Sequence, residues 1–312
     1  MNHRHLGSSG LEVSVLGLGT NNFGMRCDEA TTARVLDQAL DVDVTFIDTA
    51  NIYGGTKSEE FIGKALKGKR DKFVLGTKFG MGGGKEPNAR GGSRKHIMDQ
   101  IEKSLRRLDT DYVDLYQIHI ADPGTPIEET LRAMDDLVRQ GKVRYIGCSN
   151  FAAWQVSEAV WTSRTLNLTS FVSVQPHYNL LKRDIEKELV PFCKKYDVGI
   201  VPFFPLESGL LTGKYRQGEP APKGSRMDTT TMFSRVLNEG NFRTVTALEG
   251  FAQERDHTVG ELAIAWLLAN PTVSSVIAGA TKPEQVVANA KAVDWELSDD
   301  DLKEIDKIAP AA

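Results

Sequence analysis

An eightfold alternation of short β-rich runs with helical periodicity constrains the fold of this chain more than any other feature of its sequence. The β-rich runs predict strands at residues 15–19, 45–47, 73–77, 112–118, 143–148, 171–174, 199–203 and 274–277. The stretches after them predict helices at residues 29–40, 57–66, 93–108, 127–139, 152–161, 184–195, 242–254 and 283–291. Eight such units in 312 residues favour an α/β protein with a closed (β/α)8 TIM barrel over a doubly wound open sheet, which seldom needs so regular an alternation.

Short segments outside the eight units extend the predicted barrel. Residues 5–7 and 11–13 flank the turn-forming residues 8–10 and predict an N-terminal β-hairpin that closes the bottom of the barrel. An Ala/Leu-rich run at residues 261–268 and the segment 299–308, which follows Ser298 as an N-cap, predict additional C-terminal helices. No linker or internal repeat divides the sequence, so residues 1–312 are predicted to form a single domain.

Composition and charge argue against several classes of function. The formal net charge is -4 and the basic residues are spread along the chain, so neither nucleic acid nor a membrane is predicted as a partner. Cys27, Cys148 and Cys193 lie far apart without CxxC spacing, which predicts packing residues in a reducing compartment and no metal site or disulfide framework. The N-terminal residues lack the apolar region of a signal peptide, and no run of about 20 apolar residues occurs. A cytoplasmic protein is therefore predicted.

Four titratable side chains are predicted to meet at one end of the barrel, because the C-terminal ends of the strands and the loops after them form one mouth. Asp48 ends the second predicted strand in FIDTANIYG, Tyr53 lies in the following loop, and Lys78 and His119 end the third and fourth strands. Taken singly, these residues are explained as a helix cap, a loop cover, a strand-end lysine and a core histidine. Together they offer a phenol that can give a proton, a cation that can lower its pKa and a carboxylate that can hold the cation.

Longer motifs, in the same order along the chain, resemble those of the aldo-keto reductases. FIDTANIYGGTKSEEFIGKAL is similar to the family's signature around its catalytic Asp and Tyr, DYVDLYQIH carries its histidine, VRYIGCSNF its Ser-Asn pair and GLLTGKY its phosphate loop. The resemblance covers nearly the whole chain. It implies a (β/α)8 enzyme that reduces aldehydes or ketones with NAD(P)H, or oxidises the matching alcohols, with Asp48, Tyr53, Lys78 and His119 as its catalytic tetrad.

The chemistry of carbonyl reduction explains the residue types of this tetrad. Hydride addition develops negative charge on the carbonyl oxygen, so a donor must protonate it as the charge builds. Tyr53 is the expected donor, with its pKa of about 10 lowered by Lys78, and Asp48 is expected to hold Lys78 in place. His119 is expected to orient the carbonyl or to help pass the proton.

The resemblance also implies a bed for a nicotinamide cofactor along the later strand ends. It assigns Ser149, Asn150 and Gln175 to the nicotinamide carboxamide, which needs both donors and acceptors. Phe203 occupies the place of an aromatic residue that stacks on the nicotinamide ring. The remaining predicted cofactor contacts are Gly19, Thr20, Pro205, Leu206, Ser208, Gly209, Leu211, Gly213, Lys214, Arg226, Gly279, Thr281, Lys282, Gln285 and Asn289.

Cations near the cofactor motifs predict which nicotinamide cofactor binds. Lys214 and Arg226 lie in the long segment after the seventh strand, and Lys282 lies in the C-terminal motif GATKPEQVVANA. Such cations suit a 2'-phosphate, so NADPH or NADP+ is the predicted cofactor, with NADH as the alternative. The other explanation of these residues is that some of them are solvated surface charges.

Two asparagines in the first loop predict the polarity of the substrate. Relatives mostly have a large apolar residue after the Gly-Thr of this loop, whereas this chain has Asn21 and Asn22. Amides need partners once water is displaced, so a sugar-like carbonyl substrate contacted by Asn21, Tyr53 and His119 is predicted. The alternative is that both amides bond to the loop and only order it. The sequence leaves the oligomeric state and the direction of the reaction open.

Two other classes of protein share features with this sequence. Potassium-channel β subunits have the same fold and cofactor site but act chiefly as binding partners, so a cofactor-binding regulatory module is the alternative function. That class is expected to need a docking surface and an additional N-terminal segment, and the sequence begins a few residues before the first barrel strand. An isomerase or aldolase would use Lys78 as a Schiff base. Tyr53 and the cofactor motifs favour the reductase.

Overall fold

The computed structural model describes residues 1–82, 84, 86–230 and 234–311. A two-stranded antiparallel hairpin precedes a sheet of eight parallel strands, in which each strand pairs with the next in the chain and the last returns to the first. The hairpin strands are β1 His3–His5 and β2 Glu12–Ser14. The parallel strands are β3 Leu16–Gly19, β4 Phe46–Asp48, β5 Val74–Phe79, β6 Val113–Ile118, β7 Val143–Ser149, β8 Phe171–Gln175, β9 Gly199–Ile200 and β10 Val276–Gly279.

Backbone hydrogen bonds between the β9 segment and the β10 segment close the sheet. The amides of Ile200, Ser274 and Ile277 donate to the carbonyls of Thr272, Ile200 and Pro202 over 2.9, 2.9 and 3.0 Å. The seventh strand is predicted over residues 199–203 but ends as a regular strand at Ile200, because Pro202 has no N–H to donate towards β10. The predicted (β/α)8 barrel is confirmed.

Helices cover the outside of the barrel. They are α1 Glu29–Asp41, α2 Lys57–Ala65, α3 Arg94–Leu108, α4 Ile127–Arg139, α5 Ala153–Leu166, α6 Leu189–Tyr196, α7 Arg226–Thr229, α8 Glu239–Gln253, α9 Val259–Ala269, α10 Pro283–Lys291 and α11 Asp299–Ile308. The side chains of Asp28 and Ser93 accept amide hydrogens of the first turns of α1 and α3, which fixes where these helices begin. Leu131, Met134 and Leu137 recur at helical spacing on α4 and are buried.

Three helical segments differ from the sequence prediction, two in their packing and one in its start. Residues 242–254 are predicted as the helix of the seventh unit and residues 261–268 as an additional helix. In the structure these roles are exchanged: α9 contacts the barrel strand β10, whereas α8 contacts the helices α9 and α11. A helix such as α9, with apolar residues on nearly every side, is stable only when neighbours bury it on several sides. The helix predicted at 184–195 begins as the 3-10 turn Asp184–Glu186, because Pro191 prevents an α-helix from extending more than a turn upstream.

The N-terminal hairpin closes the bottom of the barrel, as predicted, although its first strand begins two residues earlier than expected. Leu6 and Val13 are fully buried in a cluster with inward-facing residues of four barrel strands or their extensions. These partners are Phe46, Leu115, Val201 and Ile277. With the bottom filled by apolar side chains, the polar interior lies towards the other end of the barrel.

The cysteines are packing residues, since all three are buried and free. Burial raises the pKa of Cys27 to about 11 and that of Cys193 to about 12. Within the described ranges, no group of three or more His, Cys, Asp or Glu side chains is arranged to hold a metal ion. None of the helices in those ranges is both long and apolar enough to span a bilayer.

Candidate active site

The four titratable residues from the strand ends come together at the mouth of the barrel. Lys78 Nζ donates to Asp48 Oδ2 over 2.6 Å and lies 3.3 Å from the phenol oxygen of Tyr53. The rings of Tyr53 and His119 meet edge to face with their centroids 5.8 Å apart. Alternate residues of a strand point to one face, and this parity directs Asp48 and Lys78 into the barrel. The structure thus groups all four residues of the predicted tetrad.

Lys78 and Asp48 form an ion pair away from water. The side chain of Lys78 is 0% exposed and that of Asp48 is 3% exposed. Burial alone would lower the pKa of Lys78, but the Asp48 carboxylate and the Tyr53 oxygen raise it above its ordinary value. Lys78 Nζ also donates to the carbonyl oxygen of Thr49 over 2.9 Å. Lys78 is therefore a cation beside the phenol at neutral pH.

Tyr53 is half-buried and keeps its proton at neutral pH. Burial raises the pKa of the phenol, while the Lys78 ammonium lowers it and the Asp48 carboxylate raises it further. The prediction that Lys78 brings this pKa below its ordinary value is wrong for the structure as it stands, because burial and Asp48 together outweigh the cation. A protonated phenol is the form that a general acid needs, and Lys78 can stabilise the phenolate left after proton transfer.

His119 is a neutral imidazole. Burial, followed by the Lys78 charge, lowers its pKa to about 3. Its backbone carbonyl accepts from Asn150 Nδ2 over 3.0 Å, and its Nδ1 is buried with no partner among the residues that the structure describes. A neutral ring carries one donor and one acceptor. Of the two roles predicted for His119, the geometry favours orienting a carbonyl by hydrogen bonding over passing a proton as an imidazolium.

Two glutamines bind the second oxygen of Asp48. Gln117 Nε2 donates to Asp48 Oδ1 over 3.2 Å, and Gln175 Nε2 donates to the same oxygen over 3.0 Å. Gln175 is predicted from the sequence as a cofactor residue, whereas Gln117 is not predicted. The sequence does contain a signal for Gln117. Alternate residues of a strand face the same side, so Gln117 should face the barrel interior as Leu115 and His119 do.

The ends of β7 and β8 offer the donors and acceptors expected of a carboxamide site. Ser149 Oγ donates to the carbonyl oxygen of Gln175 over 2.9 Å, and Asn150 Nδ2 donates to Ser149 Oγ over 3.0 Å. The side-chain nitrogen of Asn150 is used by its bond to Ser149, and that of Gln175 by its bond to Asp48. Their side-chain amide oxygens are therefore the acceptors that a ligand amide can reach.

A buried carboxylate supports the aromatic ring predicted to face the nicotinamide. Phe203 stacks on His177 with the ring centroids 5.3 Å apart. Glu207 is 4% exposed, its Oε2 lies 2.8 Å from His177 Nε2, and it accepts from Asn179 Nδ2 over 2.5 Å. Asn179 Nδ2 also donates to the carbonyl of Phe204 over 2.9 Å. Glu207 thereby connects the aromatic pair to the start of the predicted phosphate loop.

The predicted phosphate loop forms a tight, irregular turn. Ser208, Gly209 and Gly213 have φ values of 56°, 97° and 71°, in the left-handed region. A Cβ on Gly209 would lie 2.8 Å from Lys214 Nζ, so glycine lets this ammonium approach the backbone. Ser208 Oγ is buried without a partner in the described residues. The apolar members of the turn, wholly or partly buried, are Pro205, Leu206, Leu210 and Leu211. The cation and the unpaired hydroxyl suit an anionic group.

The C-terminal cofactor motif begins the last barrel helix. The amide and hydroxyl of Thr281 donate to Gln285 Oε1 over 2.7 and 3.1 Å, which holds the start of α10. Gly279 ends β10, and Lys282 is exposed directly before α10. Gln285 and Asn289 lie four residues apart and therefore share one face of that helix.

Arg226 links the first loop of the mouth to the long segment after β9. Its Nη2 lies 3.4 Å from Asn21 Oδ1 and 3.3 Å from Asn22 Oδ1. Arg26 Nη2 also donates to the carbonyl of Gly224 over 2.5 Å, which joins the same two segments. The amide oxygens of both asparagines therefore have a partner inside the protein. This agrees with the alternative in which the two amides order the loop and do not bind a substrate.

Gly19 and Thr20 lie beneath this loop at the end of β3. The amide and the hydroxyl of Thr20 donate to the Asp48 carbonyl over 3.1 and 3.0 Å. Gly19 pairs with Gly279 in the sheet, and a Cβ on Gly279 would lie 3.4 Å from Asn22 Nδ2. Thr20 thus holds the strand end that carries Asp48.

The chain is similar to known proteins over nearly its whole length. Residues 15–310 match the model of the Aldo/keto reductase family. The chain is 41% identical to the "Putative voltage-gated potassium channel subunit beta" of Schizosaccharomyces pombe, with 98% of this chain and 92% of the relative covered. It is 35% identical to the "Aldo-keto reductase YhdN" and 38% identical to the "Uncharacterized oxidoreductase YrpG" of Bacillus subtilis, with 99% of this chain and 93% and 96% of the relatives covered. The chain therefore belongs to the aldo/keto reductase family.

Proposed function

We propose that this oxidoreductase reduces aldehyde or ketone groups of small molecules with NADPH, and oxidises the matching alcohols in the reverse direction. The observation that carries the proposal is the buried series of contacts from Asp48 to Lys78, at 2.6 Å, and from Lys78 to Tyr53, at 3.3 Å. It sets a cation beside a phenol that keeps its proton. Protonation of a developing alkoxide needs this pairing.

Each residue of the tetrad has one role in the proposed reaction. The bound nicotinamide supplies the hydride. Tyr53 donates its phenolic proton to the carbonyl oxygen as negative charge develops there, and Lys78 stabilises the resulting phenolate. Asp48 keeps the ammonium of Lys78 in position, and the neutral ring of His119 orients the carbonyl by hydrogen bonding. In alcohol oxidation the reverse step applies, and the Tyr53 phenolate, stabilised by Lys78, accepts the hydroxyl proton.

The later strand ends fit a nicotinamide cofactor. The amide oxygens of Asn150 and Gln175 can accept from a carboxamide, and Phe203 offers an aromatic surface for the ring. Ser208 Oγ, which is buried and unpaired in the described residues, and the ammonium of Lys214 suit a pyrophosphate.

We assign the preference for NADPH to cations in two segments. Lys214 and Lys282 are exposed near the two predicted cofactor motifs, and Arg226 reaches from the long segment to the first loop. A 2'-phosphate favours such cations, and NADH lacks that group. In this assignment NADH also binds, but with lower affinity than NADPH.

Exposed apolar side chains at the mouth bear on the substrate class. Among the described residues, five large hydrophobic side chains are exposed, and four of them follow strand ends. These four are Met25, Met81, Ile120 and Trp154, which follow β3, β5, β6 and β7 and are 74%, 37%, 44% and 65% exposed. Met25, Met81 and Ile120 lie in loops and Trp154 lies in the first turn of α5, and both the loops after parallel strands and the helix starts that follow them lie at one end of the barrel. Since Arg226 also occupies the amide oxygens of Asn21 and Asn22, this geometry favours an apolar carbonyl substrate over the sugar-like one expected from the sequence.

Turnover of a substrate panel tests the proposed function. The protein is mixed with NADPH or NADH and with apolar aldehydes, ketones and hydroxylated sugars, while the nicotinamide absorbance is followed. We expect turnover with NADPH and a higher kcat/KM for apolar aldehydes than for sugar-like carbonyls of similar size. Cofactor binding without turnover of any carbonyl would refute the reductase function. A higher kcat/KM for the sugars, reduced in Asn21→Ala, would support the substrate expected from the sequence.

A second candidate function is a cofactor-binding regulatory subunit. The observation in its favour is that similar proteins covering nearly the whole chain carry the name of a potassium channel subunit beta. Such a subunit would bind the cofactor and a protein partner without needing rapid turnover. Quenching of tryptophan fluorescence by NADPH, together with no steady-state turnover on the panel, would favour this candidate over the reductase.

A further inference from the structure

The carboxylate of Asp48 is held on both of its oxygens. Lys78 binds Oδ2 over 2.6 Å, whereas the side-chain nitrogens of Gln117 and Gln175 both donate to Oδ1, over 3.2 and 3.0 Å. All four side chains lie in the interior, with Gln117 0% exposed and Gln175 2% exposed. The carboxylate can rotate only by breaking these charge-assisted hydrogen bonds. The two glutamines therefore fix the direction in which Oδ2 meets the ammonium.

Gln117 is only partly paired, and this indicates what its amide is for. Its Nε2 donates to Asp48, while its Oε1 is buried with no partner in the described part of the chain. An unpaired buried acceptor destabilises the folded state. A leucine or methionine could fill similar space without that penalty. The bond to Asp48 is what the amide supplies and an apolar side chain would not.

We propose that Gln117 is a positioning residue for carbonyl reduction, whose carboxamide holds Asp48 in the orientation that keeps Lys78 against Tyr53. The inference rests on the proposed function, in which Tyr53 gives the proton. Gln175 shares the contact with Asp48 but also borders the proposed carboxamide site. Gln117 is therefore the glutamine that can be changed without altering a proposed cofactor contact.

The variant Gln117→Glu makes this contact depend on protonation. The charged and titratable groups around the position are Asp48 on β4, Lys78 on β5, and Tyr53 and His119 beyond them. A protonated Glu can donate to Asp48 Oδ1 as the amide does, whereas an ionised Glu faces Asp48 as a like charge. We expect burial and the Asp48 charge, which both raise the pKa of the new carboxyl, to outweigh the Lys78 ammonium, which lowers it, so that this pKa lies above about 4.3. We expect kcat near that of the wild type at acidic pH and a decrease of roughly tenfold or more as this group ionises.

The variants Gln117→Leu and Ser173→Ala complete the kinetic test. Gln117→Leu cannot donate at any pH, so kcat should be lower by roughly tenfold across the pH range, with KM and the Kd for NADPH nearly unchanged. Ser173 is the matched control, because its hydroxyl is also buried and has no partner in the described ranges. It lies on β8, on the other side of Gly147 of β7 from Gln117. Its removal should leave kcat and the pH profile unchanged. A packing role for Gln117 would lower the Tm of its variants without changing kcat or the shape of the profile.

Thermal unfolding separates a failure of this inference from a failure of the proposed function. Because the folded state raises the pKa of the carboxyl in Gln117→Glu, its Tm should fall further below that of the wild type as the pH rises, and Ser173→Ala should show no such trend. Wild-type kcat in both Gln117 variants at every pH would overturn the positioning role alone. A wild type without carbonyl turnover would overturn the proposed function and this role with it, even if the pH-dependent Tm shows that the contact exists.

Discussion

The variant Asp48→Asn tests the electrostatics of the site, because it removes one charge and almost no volume. Lys78 loses an ion pair of 2.6 Å and keeps the Thr49 carbonyl at 2.9 Å and the Tyr53 oxygen at 3.3 Å. The Lys78 side chain is 0% exposed, so water cannot replace the lost partner, and solvent does not screen the interaction as it does for surface ion pairs. Removing one partner of a buried pair costs about 3–5 kcal/mol. We expect a loss of that size in the free energy of unfolding at neutral pH.

The pH dependence of this loss has a definite sign. In the wild type the pKa of Lys78 is raised, so the stabilisation is present at neutral pH and is lost only as the pH rises through that raised value. In Asp48→Asn, burial dominates and lowers the pKa of Lys78 below about 10.4. The variant gains stability as the pH rises and Lys78 releases its proton. The difference in unfolding free energy between the two proteins should therefore shrink at alkaline pH.

Chemical denaturation followed by circular dichroism, at neutral and alkaline pH, measures this difference. The double variant Asp48→Asn/Lys78→Met is the control, since it removes both charges and should recover part of the lost stability without recovering activity. The single variant should have a kcat roughly 100-fold or more below that of the wild type. An unchanged free energy of unfolding, or a loss that grows with pH, would show that the ion pair does not hold a charged Lys78 in the fold.

Three further predictions concern other side chains. Tyr53→Phe should lower kcat roughly 100-fold or more with little change in the Kd for NADPH, and equal turnover would exclude Tyr53 as the acid. The pKa of His119 is lowered to about 3 in the folded state, so between about pH 6.5 and that value the unfolded state binds a proton that the folded state does not. The free energy of unfolding should therefore decrease as the pH falls through this range. Comparing the pH dependence of unfolding in His119→Asn checks this, and an identical dependence in both proteins contradicts it. Arg226→Ala and Lys214→Met should each weaken NADPH roughly tenfold more than NADH, as measured by fluorescence quenching; equal losses would exclude a 2'-phosphate contact.

Much of the fold was predictable because a barrel repeats a local pattern. The helices predicted at 127–139 and 283–291 coincide with Ile127–Arg139 and Pro283–Lys291, where the apolar spacing and the first-turn proline are both local signals. The exchange between α8 and α9 shows the limit of such signals. Apolar periodicity identifies a helix, but the neighbour that buries it is chosen by the packing of distant segments.

The candidate site was predictable to the extent that its residues occupy strand ends. Asp48, Lys78 and His119 lie at or directly beside the ends of consecutive strands, so a correct barrel prediction already placed them at one mouth. Gln117 was missed because a glutamine inside a strand has no motif of its own. Its contact with Asp48 joins residues 69 positions apart in the chain, and only the folded barrel brings them within 3.2 Å.

By itself the sequence determined the eightfold barrel, the parity of its strands and the set of ionisable residues at its mouth, because order and periodicity are local properties of the chain. Only the tertiary structure decided the charge states and the free hydrogen-bonding groups there. The pKa of Tyr53 is raised rather than lowered, and His119 is neutral, because each responds to burial and to Lys78 from another strand. Desolvation and Coulomb interactions depend on three-dimensional distances between groups, which a local sequence pattern does not encode.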